Sequence, residues 1–213
     1  MQSDALEDSF ARLMQLEHGE AQIAEARKLD AFALERAARD DGALVTLLCL
    51  YLGVRVFEAI SRDVRDVDDG GRLLWITDSA VGDLKTQDSK RVLEVPEHLR
   101  PLLLARTRAA DGKQRPGDAP LFVNKHGVRR TRHWAHDQVV RMCKLAGVPR
   151  VTPQGLRGTQ STIATAEGGS AHLVAAGLGH SNTAITEAAY IDKDVAPEAK
   201  ARRTWKVLAG GRA

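Results

Sequence analysis

The segment from Ala43 to Ser61, ALVTLLCLYLGVRVFEAIS, constrains this chain more than any other stretch. Its apolar residues follow one another without a polar face, and a helix that is apolar all round belongs inside a protein. It carries Arg55 and Glu58 and falls short of the roughly 20 apolar residues that span a bilayer. The expectation is therefore one central buried helix over residues 43–61, with other elements packed around it. A chain of 213 residues that is 43% hydrophobic and 28% charged can bury such a core.

The flanking patterns supply the rest of the fold. Residues 5–40 have helical periodicity and strong helix formers, broken at Asp40-Asp41-Gly42. Arg72–Thr77 is a β-rich run behind the turn signal Asp69-Gly70-Gly71, and Lys90–Val95 alternates before Pro96. Between these runs, Ala80–Lys85 reads as a middle strand and Thr86–Ser89 as a turn. A helix is expected over 96–110, then a Gly/Pro-containing loop from Asp111 to Pro120 and a short apolar stretch, Leu121–Val123. Further helices are expected at about 131–147, 155–168, 170–178, 183–191 and 195–208. The fold class is α+β, mainly α-helical with a small three-stranded antiparallel sheet. No βαβ alternation suggests a parallel nucleotide-binding sheet.

Charge is unevenly placed. Residues 1–20 carry a net −4 against a total of +3, so the remainder carries +7, and that remainder is rich in arginine. A basic body behind an acidic leader suits a phosphate-rich partner. The N-terminus does not read as a secretory signal, and the expected location is cytoplasmic. Cys49 and Cys143 sit in apolar helical surroundings and read as buried free thiols rather than a disulfide or a metal site.

Several residues have spacings that suit phosphate chemistry. Leu52-Gly-Val-Arg55-Val-Phe-Glu58 closes the apolar run, and Glu58 lies one helical turn from Arg55, placed to orient it. Leu84-Lys85-Thr86 and Lys90-Arg91 flank the expected hairpin turn. Thr152-Pro-Gln154-Gly-Leu-Arg157-Gly-Thr159, then Leu178-Gly-His180-Ser181, then Tyr190 follow in order. Cleaving a phosphodiester takes a nucleophile in line with the leaving oxygen and cationic donors on the non-bridging oxygens. Arg55 and Arg157 suit the second role, because guanidinium contacts phosphate in a fork and stays charged. Tyr190 suits the first if a positive field and a proton acceptor activate its phenol, whose ordinary pKa is about 10.

In this order the boxes resemble those of the tyrosine recombinases, the phage integrase family: TGLRxxE, the lysine hairpin, HxLRHT, LGHxS and the tyrosine. The resemblance covers the chain from about residue 25 onward. It implies Tyr190 as nucleophile, Arg55, Arg157 and His180 as phosphate-holding groups, and Glu58 as support for Arg55. It also implies a hairpin lysine as general acid, and the Leu-Lys-Thr context favours Lys85 over Lys90. The family's first box histidine is replaced by Gln154, which hydrogen-bonds but carries no proton at neutral pH. Gly158 stands for the second histidine. Arg129, Arg130, Arg132 and Lys90 are candidate contacts to the DNA backbone. His133-Trp134-Ala-His136-Asp137 reads as a helix surface rather than a metal site.

The implied reaction joins Tyr190 to a 3′ phosphate and frees a 5′ hydroxyl, with no cofactor or metal needed. The implied partners are double-stranded DNA and further copies of the chain, as a tetramer on DNA and a monomer when free, with no membrane and no small-molecule substrate. Residues 1–24 are expected to be an acidic helical extension or linker, and 25–213 a catalytic domain without the N-terminal DNA clamp. The competing expectation is a catalytically weakened or inactive DNA-binding module, marked by Gln154.

Overall fold

The computed structural model describes residues 21–77 and 90–166. The expected single helix over 43–61 is two helices. Helix α1 covers 21–36. Helix α2 (Asp41–Leu52) starts at Asp40, whose carboxylate accepts the Gly42 N–H at 2.8 Å, and every residue from Gly42 to Leu52 is buried. It stops at Gly53, which takes the left-handed conformation (φ 61°, ψ 22°) open to a residue without Cβ. Val54 lies outside any helix and Arg55 is extended (φ −66°, ψ 146°) before α3 (Val56–Ile60) begins. The break puts Arg55 at the start of a helix instead of in the middle of one.

The sheet is three-stranded and antiparallel in the order β1 (Val67–Asp68), β2 (Leu73–Ile76), β3 (Arg91–Glu94). Strand β2 is therefore the middle strand, pairing Leu73 with Glu94 and Ile76 with Arg91. The middle place expected for Ala80–Lys85 is already taken, because β2 meets β3 directly; 80–89 themselves lie outside the described residues. Asp69, Gly70 and Gly71 all have positive φ, which turns the chain tightly from β1 into β2.

The expected helix over 96–110 is shorter: a 3₁₀ turn (Glu97–Leu99) and then α4 (Arg100–Arg106). Helix α5 (Arg132–Ala146) runs from a Thr131 cap to Gly147 in left-handed form, and α6 covers Pro153–Ala166. The helices expected within 1–20 and beyond 166 lie outside the described residues. Helix α2 packs on α5, α6 and α3, and is the axis of the core. Its unbroken row of buried side chains stabilises the fold most, at roughly 1.5–3 kcal/mol for each large apolar group. Tyr51, fully buried, meets the His98 ring edge-on at 5.0 Å. Gln22 of α1 donates to Thr159 of α6 at 2.9 Å, closing the bundle. Cys49 and Cys143 are free and buried, and burial pushes the Cys49 thiol up to about 12. Among the described residues no helix is long and apolar enough to cross a membrane.

Candidate active site

The site is built where α2 ends. With no further turn of helix, the Gly53 carbonyl points away from α2 and accepts Nη1 of Arg157 at 2.8 Å. Arg157 reaches it from α6, so residues 104 positions apart meet. Two residues past Gly53, Arg55 caps α3. The Glu58 carboxylate accepts the Arg55 backbone N–H at 2.8 Å and Arg55 Nη1 at 2.8 Å. The i,i+3 pair read from the sequence is thus both a helix cap and an ion pair.

Glu58 is only 2% exposed, and a buried carboxylate needs more than one partner. The second is Arg91 of β3, with Nη2 on Oε2 at 2.8 Å and Nη1 on Oε1 at 3.4 Å. Burial acts to raise the Glu58 carboxyl, but the hydrogen bonds and charge of Arg91, with the bonds from Arg55, outweigh it and hold the group below the usual carboxylate range. For Arg157, burial pushes the guanidinium down to about 10, assisted by the positive charge of Arg55, with Glu58 opposing. It stays cationic at neutral pH. Arg157 thus sits on the carbonyl two residues before Arg55, where the charges of Arg55 and Glu58 both act on it.

A further arginine supports this cluster from below. Arg62 is fully buried, and its Nε donates to the Glu58 carbonyl at 2.9 Å while Nη2 donates to the Thr77 carbonyl at 2.8 Å. It also pairs with Asp66 at 3.4 Å. Sequence reasoning named neither Arg62 nor Arg91 as part of this cluster. For Arg91 a signal existed, since period-two alternation puts it on the same strand face as buried Leu93.

The candidate DNA contacts separate. Arg129 is turned inward, where Nη1 donates to the Ile60 and Arg62 carbonyls at 3.2 and 3.1 Å, and Nη2 pairs with Asp63. Its guanidinium thereby ties the loop before α5 to the end of α3, a commitment at odds with the expected DNA contact. Arg129→Ala should lower stability by about 1.5–3 kcal/mol, the range for losing hydrogen bonds to a charged group. Urea melts check this, and the salt dependence of DNA binding should keep its slope; a shallower slope would restore Arg129 to the DNA surface. Arg130 is half-buried with its guanidinium 4.3 Å over the Trp134 ring. Arg132 is exposed on the first residue of α5, and Lys90 is exposed just before β3. Gln154 is exposed at the second residue of α6, one turn before Arg157. Tyr190, His180 and Lys85 lie outside the described residues. His133 and His136 lie on α5, with His133 Nε2 3.4 Å from Asp137. Among the described residues no group of His, Cys, Asp or Glu could hold a metal ion.

Known proteins share this arrangement of elements. The sequence profile of the phage integrase family matches residues 22–196. The tyrosine recombinase XerC of Bifidobacterium longum (strain DJO10A) is 32% identical over 168 residues, covering 77% of this chain and 46% of the relative. XerC from a second strain, Bifidobacterium longum subsp. infantis, matches to the same extent. The chain thus spans about half the length of the curated relatives it matches. The crystal structure of XerA recombinase aligns with a TM-score of 0.60 at 20% identity, over 89% of this chain and 62% of that one. The integrase from mycobacterium phage Brujita aligns with a TM-score of 0.57 at 19% identity, over 87% and 62%. The Tn1549 transposon integrase, in complex with circular intermediate DNA, aligns at 0.54 and 20% identity, over 70% and 56%. These structures share the fold of the mostly helical domain with its small sheet.

Proposed function

From its membership of the phage integrase family, to which this chain belongs, we propose that it cleaves and rejoins DNA at a specific site, with Tyr190 as the nucleophile. The observation that carries the reading is the pair of guanidiniums, Arg55 and Arg157, brought together at the α2 break around Glu58. Two fixed cations on the non-bridging oxygens stabilise the charge that grows as the phosphorus is attacked. The Tyr190 oxygen loses its proton to solvent water and forms a bond to phosphorus while the bond to the 5′ oxygen breaks. Lys85 gives that oxygen its proton, and the phosphate stays on the protein as a 3′ phosphotyrosine. Attack by a 5′ hydroxyl of another strand reverses the step. His180 hydrogen-bonds the phosphate, and Arg130, Arg132 and Lys90 meet the backbone of double-stranded DNA. Rejoining two duplexes takes four copies of the chain. The solved Tn1549 integrase complex with DNA supports this choice of substrate.

The test works without a defined target sequence. A library of nicked duplexes with randomised sequence is incubated with the protein, denatured, and protein-bound DNA is recovered and sequenced. The expected result is a covalent adduct enriched for one sequence; its complete absence sinks the enzyme reading and leaves a DNA-binding module. Gln154 bears on rate. Exposed one turn before Arg157, it offers hydrogen bonds but no proton transfer. Gln154→His should speed adduct formation, toward the roughly 10²–10⁴ that a positioned proton acceptor contributes. A slower Gln154→His variant would show that this position does not receive the tyrosine proton.

A further inference from the structure

Four hydrogen bonds fill the carboxylate of Glu58, two from Arg55 and two from Arg91. The two arginines are not equivalent. Only 12% of the Arg91 side chain is exposed, against 41% for Arg55. Arg91 reaches both carboxylate oxygens, while the Arg55 guanidinium reaches one of them through Nη1 alone. We infer that Arg91 is a positioning residue for strand cleavage, occupying Glu58 so that Arg55 is held by one nitrogen and turns its other donors outward. The inference rests on the reading of Arg55 and Arg157 as the groups that hold the phosphate.

The physical argument is one of competition. An arginine alone with a carboxylate closes into a two-bond fork, which commits its donors and cancels its charge. Arg91 takes that fork position from the core side. Two guanidiniums then share one carboxylate, and Arg157 on the Gly53 carbonyl adds a third positive charge, so the cluster keeps a net positive charge for the phosphate. The sheet is tied to the same residue at two of its three strands. Arg91 binds the Glu58 carboxylate from β3, while Arg62 joins the Glu58 carbonyl to Thr77 at the end of β2.

The test uses the full chain and the DNA sequence recovered by covalent capture. Adduct formation is measured in a single turnover at saturating DNA, per folded molecule, well below each variant's Tm. Arg91→Ala should slow it by about 10- to 100-fold, the scale of a small misplacement of a reacting group. Its DNA affinity should change by no more than about twofold, and the slope of affinity against salt should stay the same. Arg91→Lys should recover most of the rate, because an ammonium still occupies Glu58. Arg91→Gln keeps the bulk without the charge and should be as slow as Arg91→Ala; if alanine does not fold, glutamine against lysine decides. An unchanged rate per folded molecule in Arg91→Ala, or equal rates for Gln and Lys, overturns the inference. So does a salt slope shallower by about 0.9, the mark of a lost direct phosphate contact. A wild-type chain that forms no adduct fails earlier, at the phosphate-holding reading, and removes the inference with it.

Discussion

Replacing Tyr190 with phenylalanine is expected to reduce the denaturation-resistant protein–DNA adduct to background while DNA binding continues. The exchange removes one hydroxyl and keeps the ring, so packing and the basic surface are unaltered. The chain has only two tyrosines, and the other cannot substitute. Tyr51 is fully buried in α2 with its ring against His98, inside the core and away from any phosphate that Arg55 could reach from the surface. A phenol ionises near pH 10, so the uncatalysed nucleophile is almost entirely protonated at neutral pH. In the proposed reaction the two arginines supply the positive field that makes its attack feasible, and nothing replaces the oxygen once it is gone. Capture experiments on the selected DNA, with Tyr51→Phe as control, measure this directly. An adduct that survives in Tyr190→Phe would move the nucleophile elsewhere.

The second large effect is on stability. Glu58→Gln should destabilise the fold by about 3–5 kcal/mol, the range for removing one partner of a buried ion pair. That is a substantial share of the roughly 5–15 kcal/mol that holds a domain together. The mutation removes the anion that Arg55 and Arg91 share and that offsets the charge acting on Arg157. It also takes charge-assisted hydrogen bonds from the α3 cap and from β3 together. The effect should depend on pH in a defined direction. The folded carboxyl of Glu58 titrates below its unfolded value of about 4.3, so its contribution is complete above that pH and is lost as pH falls through the lower folded value. Urea melts of wild type and Glu58→Gln should therefore differ fully at pH 7, and the difference should shrink as pH falls below about 4.3. A difference that stays constant across that range would mean that the ionised carboxylate is not what stabilises the site.

The two effects act on one structure at different distances. In the proposed reaction Tyr190 carries the chemistry, whereas Glu58 holds Arg55, one of the proposed phosphate-holding groups. Arg91 lies between these roles, since it touches Glu58 and sets how Arg55 presents itself. Measuring rate per folded molecule separates the two contributions, because a purely structural loss lowers the folded fraction and leaves the remaining molecules at full speed.

Much of this is legible in residue order. The apolar run announces a buried central helix, and α2 is buried along nearly its whole length. The i,i+3 spacing of Arg55 and Glu58 announces their contact, which a helix brings about locally. Turn residues announce the tight turn that leads into β2, and alternation locates β2 and β3, while the two-residue β1 is not among the expected strands. What local pattern does not carry is the point at which the apolar run breaks. Gly53 can sit inside a helix or end one, and its carbonyl is claimed by Arg157 from 104 residues away. Arg129 has the neighbours of a basic loop, yet it serves carbonyls and Asp63 more than 60 residues back. Arg91 stands beside Lys90 in a strand end rich in charge, yet it meets Glu58 across 33 residues. By itself, then, the sequence determined the buried character of α2, the positions of β2 and β3, the i,i+3 pair and the order of the chemical groups, because these depend on neighbours a few residues apart. Only the tertiary structure decided which arginines are bound inward and which face outward. A buried guanidinium takes whatever acceptors the fold brings to it, and those acceptors come from anywhere in the chain.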